Sequence, residues 1–263
     1  MNSPQKLLVL YTGGTIGMQM SEAGLAPASG FEARLRAEQA LHPERPAPAW
    51  QFRELSPPID SANMRQANWL AMRDAIVQAV DHDGFDAVLL LHGTDTLAYS
   101  AAALSFLLLG IPVPVLLTGS MLPAGSPGSD AWPNLFGALA GLSEGCRPGV
   151  HLYFDGQLLH GARASKLKSE AFDAFVNMAR PRHGQCLEQL PEALHYRRQR
   201  RAVALAVVPL FPGLGAVQLR AVLASGVQGV LLECYGSGTG PADDAEFLAA
   251  LREARQRGVV LGA

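Results

Sequence analysis

Lysine is almost missing from this chain. Of 21 basic side chains only Lys6, Lys166 and Lys168 are lysines, and the rest are arginines. A chain that does largely without lysine keeps a few where arginine cannot serve, since arginine stays protonated whereas a buried lysine can release its proton and act as a base. Charge is sparse as well: 17% of residues are charged, and the formal net charge is −2. No basic field exists to hold nucleic acid or an acidic membrane surface. Cysteine is scarce. Cys146, Cys186 and Cys234 are odd in number, far apart and without a CxxC pair, which argues against a disulfide framework or a cysteine zinc site and for a reducing compartment.

Metal-binding patterns are lacking too. There is no HExxH or EF-hand loop, and the seven histidines have no ligand spacing, so no metal is expected. No apolar run reaches the roughly 18 residues of a membrane helix. The nearest, residues 104–117, is broken by Gly110, Pro112 and Pro114. The apolar run at 7–11 is too short for a signal-peptide core. A soluble, cytoplasmic protein is expected.

The chain does have apolar side chains, at 49% of 263 residues. That supplies a core and excludes a disordered chain. Short continuous apolar runs at 6–11, 87–91, 113–117 and 229–234 each end in glycine and hydroxyl residues. Continuous rather than alternating hydrophobicity marks strands covered on both faces, as in parallel sheets. Helical periodicity lies between them at 68–80, 97–109, 133–142, 216–223 and 245–255. In 68–80 the stripe is Trp69, Leu70, the stem of Arg73, Ile76, Val77 and Val80. Residues 97–109 are apolar nearly all round, as in a helix pressed against a sheet and a neighbouring subunit.

Alternation of strand and helix gives an α/β fold with a mostly parallel sheet, in which ligands bind outside the carboxyl ends of the strands. Pro181, Gly184 and Pro191 with the charge run 195–201 mark a boundary, read as a solvated linker rather than a nucleic-acid patch. The expected division is a domain at 1–185, a linker at 186–202 and a smaller α/β domain at 203–263. Residues 18–30 and 122–133, rich in Gly, Pro, Ser and Ala, read either as loops over a site or as ordinary connectors.

Two strand ends carry candidate chemistry. Thr12-Gly13-Gly14-Thr15-Ile16-Gly17 fits neither a dinucleotide fingerprint nor a P-loop. The glycines either simply turn the chain or present the Thr15 hydroxyl beside backbone N–H groups that favour a nucleophile. In His92-Gly93-Thr94-Asp95-Thr96, one Thr or Asp would suffice to cap the helix that follows. Three oxygen-bearing side chains in a row suggest that Thr94 or Asp95 faces a ligand, with Asp95 suited to an ammonium group and Thr94 to acid–base work. His92 reads as a general base or as a satisfied structural residue. Either Lys166 or Lys168, held against a threonine with its pKa lowered, would accept a proton. Spacing does not say which.

The sequence resembles the bacterial L-asparaginases of the cytoplasmic type I branch. The resemblance rests on Tyr11-Thr12-Gly13-Gly14-Thr15-Ile16-Gly17-Met18, on Leu91-His92-Gly93-Thr94-Asp95-Thr96-Leu97-Ala98-Tyr99 and on Thr118-Gly119-Ser120. Asp60-Ser61, Ala164-Ser165-Lys166, Phe172-Asp173-Ala174-Phe175 and Tyr235-Gly236-Ser237-Gly238 extend it over the chain. It implies hydrolysis of L-asparagine to L-aspartate and ammonia without metal or organic cofactor. By resemblance Thr15 attacks the side-chain amide and forms an acyl-enzyme, and Thr94 with Lys166 relays protons. Asp95 binds the substrate ammonium and Ser61 its carboxylate. The implied assembly is a homodimer, or a tetramer made of two dimers, built from a larger N-terminal and a smaller C-terminal α/β domain.

Three positions depart from the family's pattern. Leu25 stands where many relatives carry a loop tyrosine, Ala62-Asn63 where a polar or acidic residue follows Ser61, and Thr239 where several have asparagine. Residues 259–263 read as a buried strand without a polar tail, while relatives continue further, so the sequence is expected to stop inside its smaller domain. The competing functions are a non-catalytic amino-acid-binding or regulatory protein, a glutaminase-asparaginase, and the asparaginase-like subunit of a tRNA-dependent amidotransferase.

Overall fold

The computed structural model describes residues 4–21, 24–27, 30–45, 47–179 and 189–263. The chain forms two compact units, Met1–Arg200 and Arg201–Ala263. In the first, β1 (Leu7–Gly13) leads into a hairpin of β2 (Met18–Ser21) and β3 (Gly24–Pro27), then α1 (Phe31–Leu41), β4 (Trp50–Ile59) and α2 (Gln66–Asp81). There follow β5 (Ala87–Leu91), α3 (Leu97–Leu107), β6 (Pro114–Thr118), α4 (Ala131–Ser143) and the antiparallel pair β7 (Gly149–Phe154) and β8 (Gln157–His160). A small antiparallel ribbon, β9 (Ala164–Lys166) and β10 (Phe175–Asn177), follows.

The main sheet has the order β4-β1-β5-β6-β7-β8, and all its pairs but β7–β8 are parallel. Every residue of β1 and β5 is buried, as expected of strands covered on both faces. Because side chains alternate along a strand, each strand feeds two cores. Leu8, Leu10, Val88 and Leu90 pack under α2 and α3 with Ile76 and Leu104. Leu7, Val9, Leu89 and Leu91 pack under α1 and α4 with Leu35 and Leu139. Arg73, placed on the apolar stripe by its stem, is buried, and its guanidinium donates to the carbonyls of Tyr196 and Arg198.

β1 pairs with β4 on one side and β5 on the other, although β4 and α2 intervene in the chain. The strand order therefore reverses beside β1, and the crevice at the carboxyl ends of β1 and β5 is the ligand position of such sheets.

Within the stretch read as a linker, residues 189–200 fold with the first unit. Tyr196 is buried in the core under α2 and donates its hydroxyl to Asp81 at 2.7 Å, and Arg197 clamps the same carboxylate. Residues 180–188, with Cys186, lie outside the described residues. The second unit is a three-stranded parallel sheet of β11 (Leu205–Pro209), β12 (Gly229–Glu233) and β13 (Val260–Gly262), with α5 (Ala216–Ala224) and α6 (Ala245–Gln256). Val208, Leu219, Val230 and Phe247 form its core. The closing segment is a strand, but it is not buried as the sequence suggested. β13 lies at the edge of its sheet, and Val260 is 72% exposed. Among the described residues no helix is long and apolar enough to cross a membrane.

Candidate active site

Four strand ends converge on the switch point because glycines let their backbones touch. After β1 the chain turns through Gly13 and Gly14 at φ 114° and 91°, a region that favours glycine, into a 3-10 turn, Thr15–Gly17. A methyl group on Gly14 would lie 2.3 Å from the amide nitrogen of Gly93. One on Gly93 would lie 2.4 Å from Ser61 Oγ, and one on Gly119 2.2 Å from the carbonyl oxygen of His92 and 3.8 Å from Thr94 Cγ2. The turn bearing Thr15, the turn after β4 with Ser61, the segment after β5 with Thr94 and the turn after β6 therefore abut.

Ser61 opens a 3-10 turn, Ser61–Asn63, that is capped by Asp60, whose Oδ1 accepts from the amide of Ala62 at 3.2 Å. Its carbonyl accepts from Thr96 Oγ1 at 2.9 Å, and Thr12 Oγ1 donates to the carbonyl of Leu91 at 2.8 Å. Thr96 and Thr12 thus lock neighbouring segments together. Asn63 turns back on its own loop, donating to Asp60 Oδ2 at 3.1 Å.

Lys166, at the end of β9, donates from Nζ to Thr94 Oγ1 at 3.0 Å and lies 3.5 Å from Asp95 Oδ1. Lys168 instead pairs with Asp173 at the surface. The two lysines that spacing left equivalent are separated by this geometry. Lys166 is 17% exposed and Asp95 62%. A pair with so open a carboxylate adds little to stability, and Asp95 is left facing a cleft of about 550 Å³ lined also by Tyr99, Lys166 and Leu167.

His92 is fully buried and linked at both nitrogens. Nδ1 lies 2.7 Å from the carbonyl of Gly93 and therefore carries the proton, and Nε2 accepts from Ser100 Oγ at 2.8 Å. Ser100 in turn accepts from Trp69 Nε1 at 2.8 Å. Burial depresses the imidazole pKa to about 4. The ring is a neutral brace behind Gly93, with both nitrogens engaged by protein groups.

The positions that depart from the family's pattern sit as follows. Leu25 belongs to β3, opposite Met20, and its side chain lies outside the described residues. Thr239 lies in the second unit, in a turn where its carbonyl accepts from the amide of Tyr235 at 3.0 Å. Among the described residues no three His, Cys, Asp or Glu side chains converge as a metal site. Sequence reasoning missed Asp130 and Asn134, which are buried at the start of α4 and hold the turn after β6. The available signal was an asparagine inside the apolar run of that helix.

Known proteins resemble this chain along most of its length. The family described as Asparaginase, N-terminal, matches residues 6–200. L-asparaginase 1 of Escherichia coli (strain K12) is 36% identical over 276 residues, covering 98% of this chain and 78% of that protein. The L-asparaginase of Thermococcus kodakarensis is 34% identical over 282 residues, with 97% and 79% covered. The crystal structure of L-asparaginase I from Vibrio cholerae O1 biovar eltor superposes with a TM-score of 0.79 at 30% identity, covering 98% of this chain and 80% of that one.

Proposed function

The chain belongs to the asparaginase family, and from that premise we infer that it is an amidohydrolase converting L-asparagine and water to L-aspartate and ammonia. Thr15 Oγ1 attacks the side-chain amide carbon, and the tetrahedral intermediate expels ammonia to leave an acyl ester on Thr15. Water then cleaves that ester and restores the hydroxyl. Thr94 and Lys166 carry protons to and from the reacting atoms in one or both half-reactions. Asp95 takes the substrate α-ammonium and Ser61 its α-carboxylate. No metal or organic cofactor enters this sequence of steps.

The observation that carries the reading is the contact of Lys166 Nζ with Thr94 Oγ1 at 3.0 Å, next to a turn bearing a second threonine. A mere binding pocket has no need of two threonine hydroxyls together with a lysine held against one of them. We place the enzyme in the cytoplasm as a homodimer or a tetramer of paired dimers, with the exposed Tyr99 and Phe106 of α3 at a subunit contact.

Ammonia release from asparagine and from glutamine tests the reading in wild type, Thr15→Ala and Lys166→Arg. Wild type is expected to turn over asparagine. Thr15→Ala loses activity by orders of magnitude, and Lys166→Arg loses it because arginine keeps its proton. Wild-type turnover in Thr15→Ala would remove Thr15 as the nucleophile, and normal turnover in Lys166→Arg would show that a positive charge alone suffices. Asparagine binding without ammonia release from wild type would favour a regulatory protein.

A further inference from the structure

Asp130 occupies the N-cap position of α4, yet its side chain makes no cap hydrogen bond to that helix. It is 8% exposed and turns toward the turn after β6. Oδ1 accepts from the amides of Met121 and Leu122 at 3.0 and 3.1 Å, and Oδ2 from Met121 at 2.9 Å and from Asn134 Nδ2 at 3.0 Å. Asn134, 2% exposed, also donates from Nδ2 to the carbonyl of Gly119 at 3.1 Å and accepts at Oδ1 from the amide of Asp155 at 2.9 Å. A buried carboxylate among N–H donors is a costly group that forms strong, directional bonds. Plain helix capping needs none of this, and Ser129 already supplies a side-chain acceptor to the amide of Ala131.

The turn so held touches the site on two sides. Gly119 lies so close to the segment after β5 that a methyl group on it would meet the carbonyl oxygen of His92 at 2.2 Å and stand 3.8 Å from the methyl of Thr94. Five residues later the amide of Ala124 donates to the carbonyl of Ile16 at 3.2 Å, within the turn that presents Thr15. We propose that Asp130 and Asn134 are positioning residues which, through the turn after β6, fix Thr94 and the Thr15 turn relative to each other. The inference rests on the proposed amidohydrolase reading. Neither side chain needs to touch substrate. Asparagine at position 130 directs an N–H at one of the amides that the carboxylate accepts, and leucine at 134 removes the hold on Gly119 while keeping the helix.

Asp130→Asn, Asn134→Leu and Leu142→Ala, the last at the opposite end of α4, are compared by steady-state ammonia release from L-asparagine and by thermal unfolding. With reacting groups misplaced by a fraction of an ångström to an ångström, kcat is expected to fall about 10- to 100-fold in the first two variants. Their KM should move by less than about threefold, because the groups that bind substrate remain. Leu142→Ala is expected to lose Tm with kcat retained. Should either of the first two variants not fold, the other carries the comparison. Unchanged kcat in folded Asp130→Asn or Asn134→Leu beside an active wild type overturns the positioning role alone, as does a kcat loss in Leu142→Ala that matches theirs at equal Tm. A wild type that releases no ammonia overturns the amidohydrolase reading and this inference with it.

Discussion

Gly14 and Gly93 meet backbone to backbone, and neither position has room for a side chain. Gly14 also holds φ 91°, so Gly14→Ala suffers twice, once through a conformation costing about 1–3 kcal/mol and once through an overlap that only movement of a strand end relieves. Gly84→Ala serves as the comparison, since Gly84 has φ 71° but open space around its Cα. Gly14→Ala is expected to abolish ammonia release and to lower Tm more than Gly84→Ala, which should keep kcat. Equal behaviour of the two would show that backbone strain alone, and not the close approach of the strand ends, explains the glycine.

Lys166 and Lys168 are two residues apart and play different parts. Lys168 and Asp173 are both about half exposed, and surface pairs of this kind contribute little to stability. Lys168→Met should leave kcat and Tm nearly unchanged. Lys166→Met should lower kcat by about 10²–10⁴, the usual contribution of a positioned proton-transfer group, with little change in Tm. Kinetics and thermal melts on the two variants side by side check this, and a large kcat loss in Lys168→Met would reverse the assignment.

His92 sets a pH dependence of stability. Its folded pKa is depressed to about 4 from an ordinary 6.5. Above the ordinary value both folded and unfolded rings are neutral and the group contributes nothing. As pH falls through 6.5 toward 4, the unfolded chain takes up a proton that the folded one refuses, so stability declines by about 3 kcal/mol across that window. His92→Gln keeps an uncharged acceptor for Ser100 and removes the titration. Urea unfolding of wild type and His92→Gln at several pH values should show the wild type losing more stability by that amount. Parallel curves would mean that the ring protonates freely in the folded protein.

Much of this was legible in the sequence where burial is one-sided or complete. Residues 87–91 form β5 without a shift of boundary, because a continuous apolar run ended by His92-Gly93 has no other reading. β4 went unread. It is an edge strand with no fully buried residue and carries Pro57 and Pro58, which an edge tolerates and a central strand does not. α1 went unread because only Phe31 and Leu35 of its eleven residues are buried. At the site, the glycine turns and hydroxyls announced themselves locally. The contact of Lys166 with Thr94 spans 72 residues, and among the residue patterns nothing selected Lys166 over Lys168; only the family resemblance did. Asp130 and Asn134 escaped notice because, apart from their bond to each other, their partners are backbone amides and carbonyls, which no sequence letter marks.

The outer face of α3 bears on assembly. Leu97, Ser100, Ala101 and Leu104 are buried on its inner face, while Tyr99 and Phe106, seven residues apart and therefore on one side of the helix, are both more than half exposed. Large aromatic groups gathered on one exposed face are typical of surfaces that associate. Phe106 stands two helical turns from the Tyr99 end that lines the cleft, so it can be altered without entering the proposed machinery. Phe106→Glu places a charge where a partner helix would have to bury it, and it is expected to shift a dimeric wild type toward monomer in sedimentation velocity at micromolar protein, with Tm falling as dissociation increases. An unchanged sedimentation coefficient would assign the subunit contact to another face of the chain.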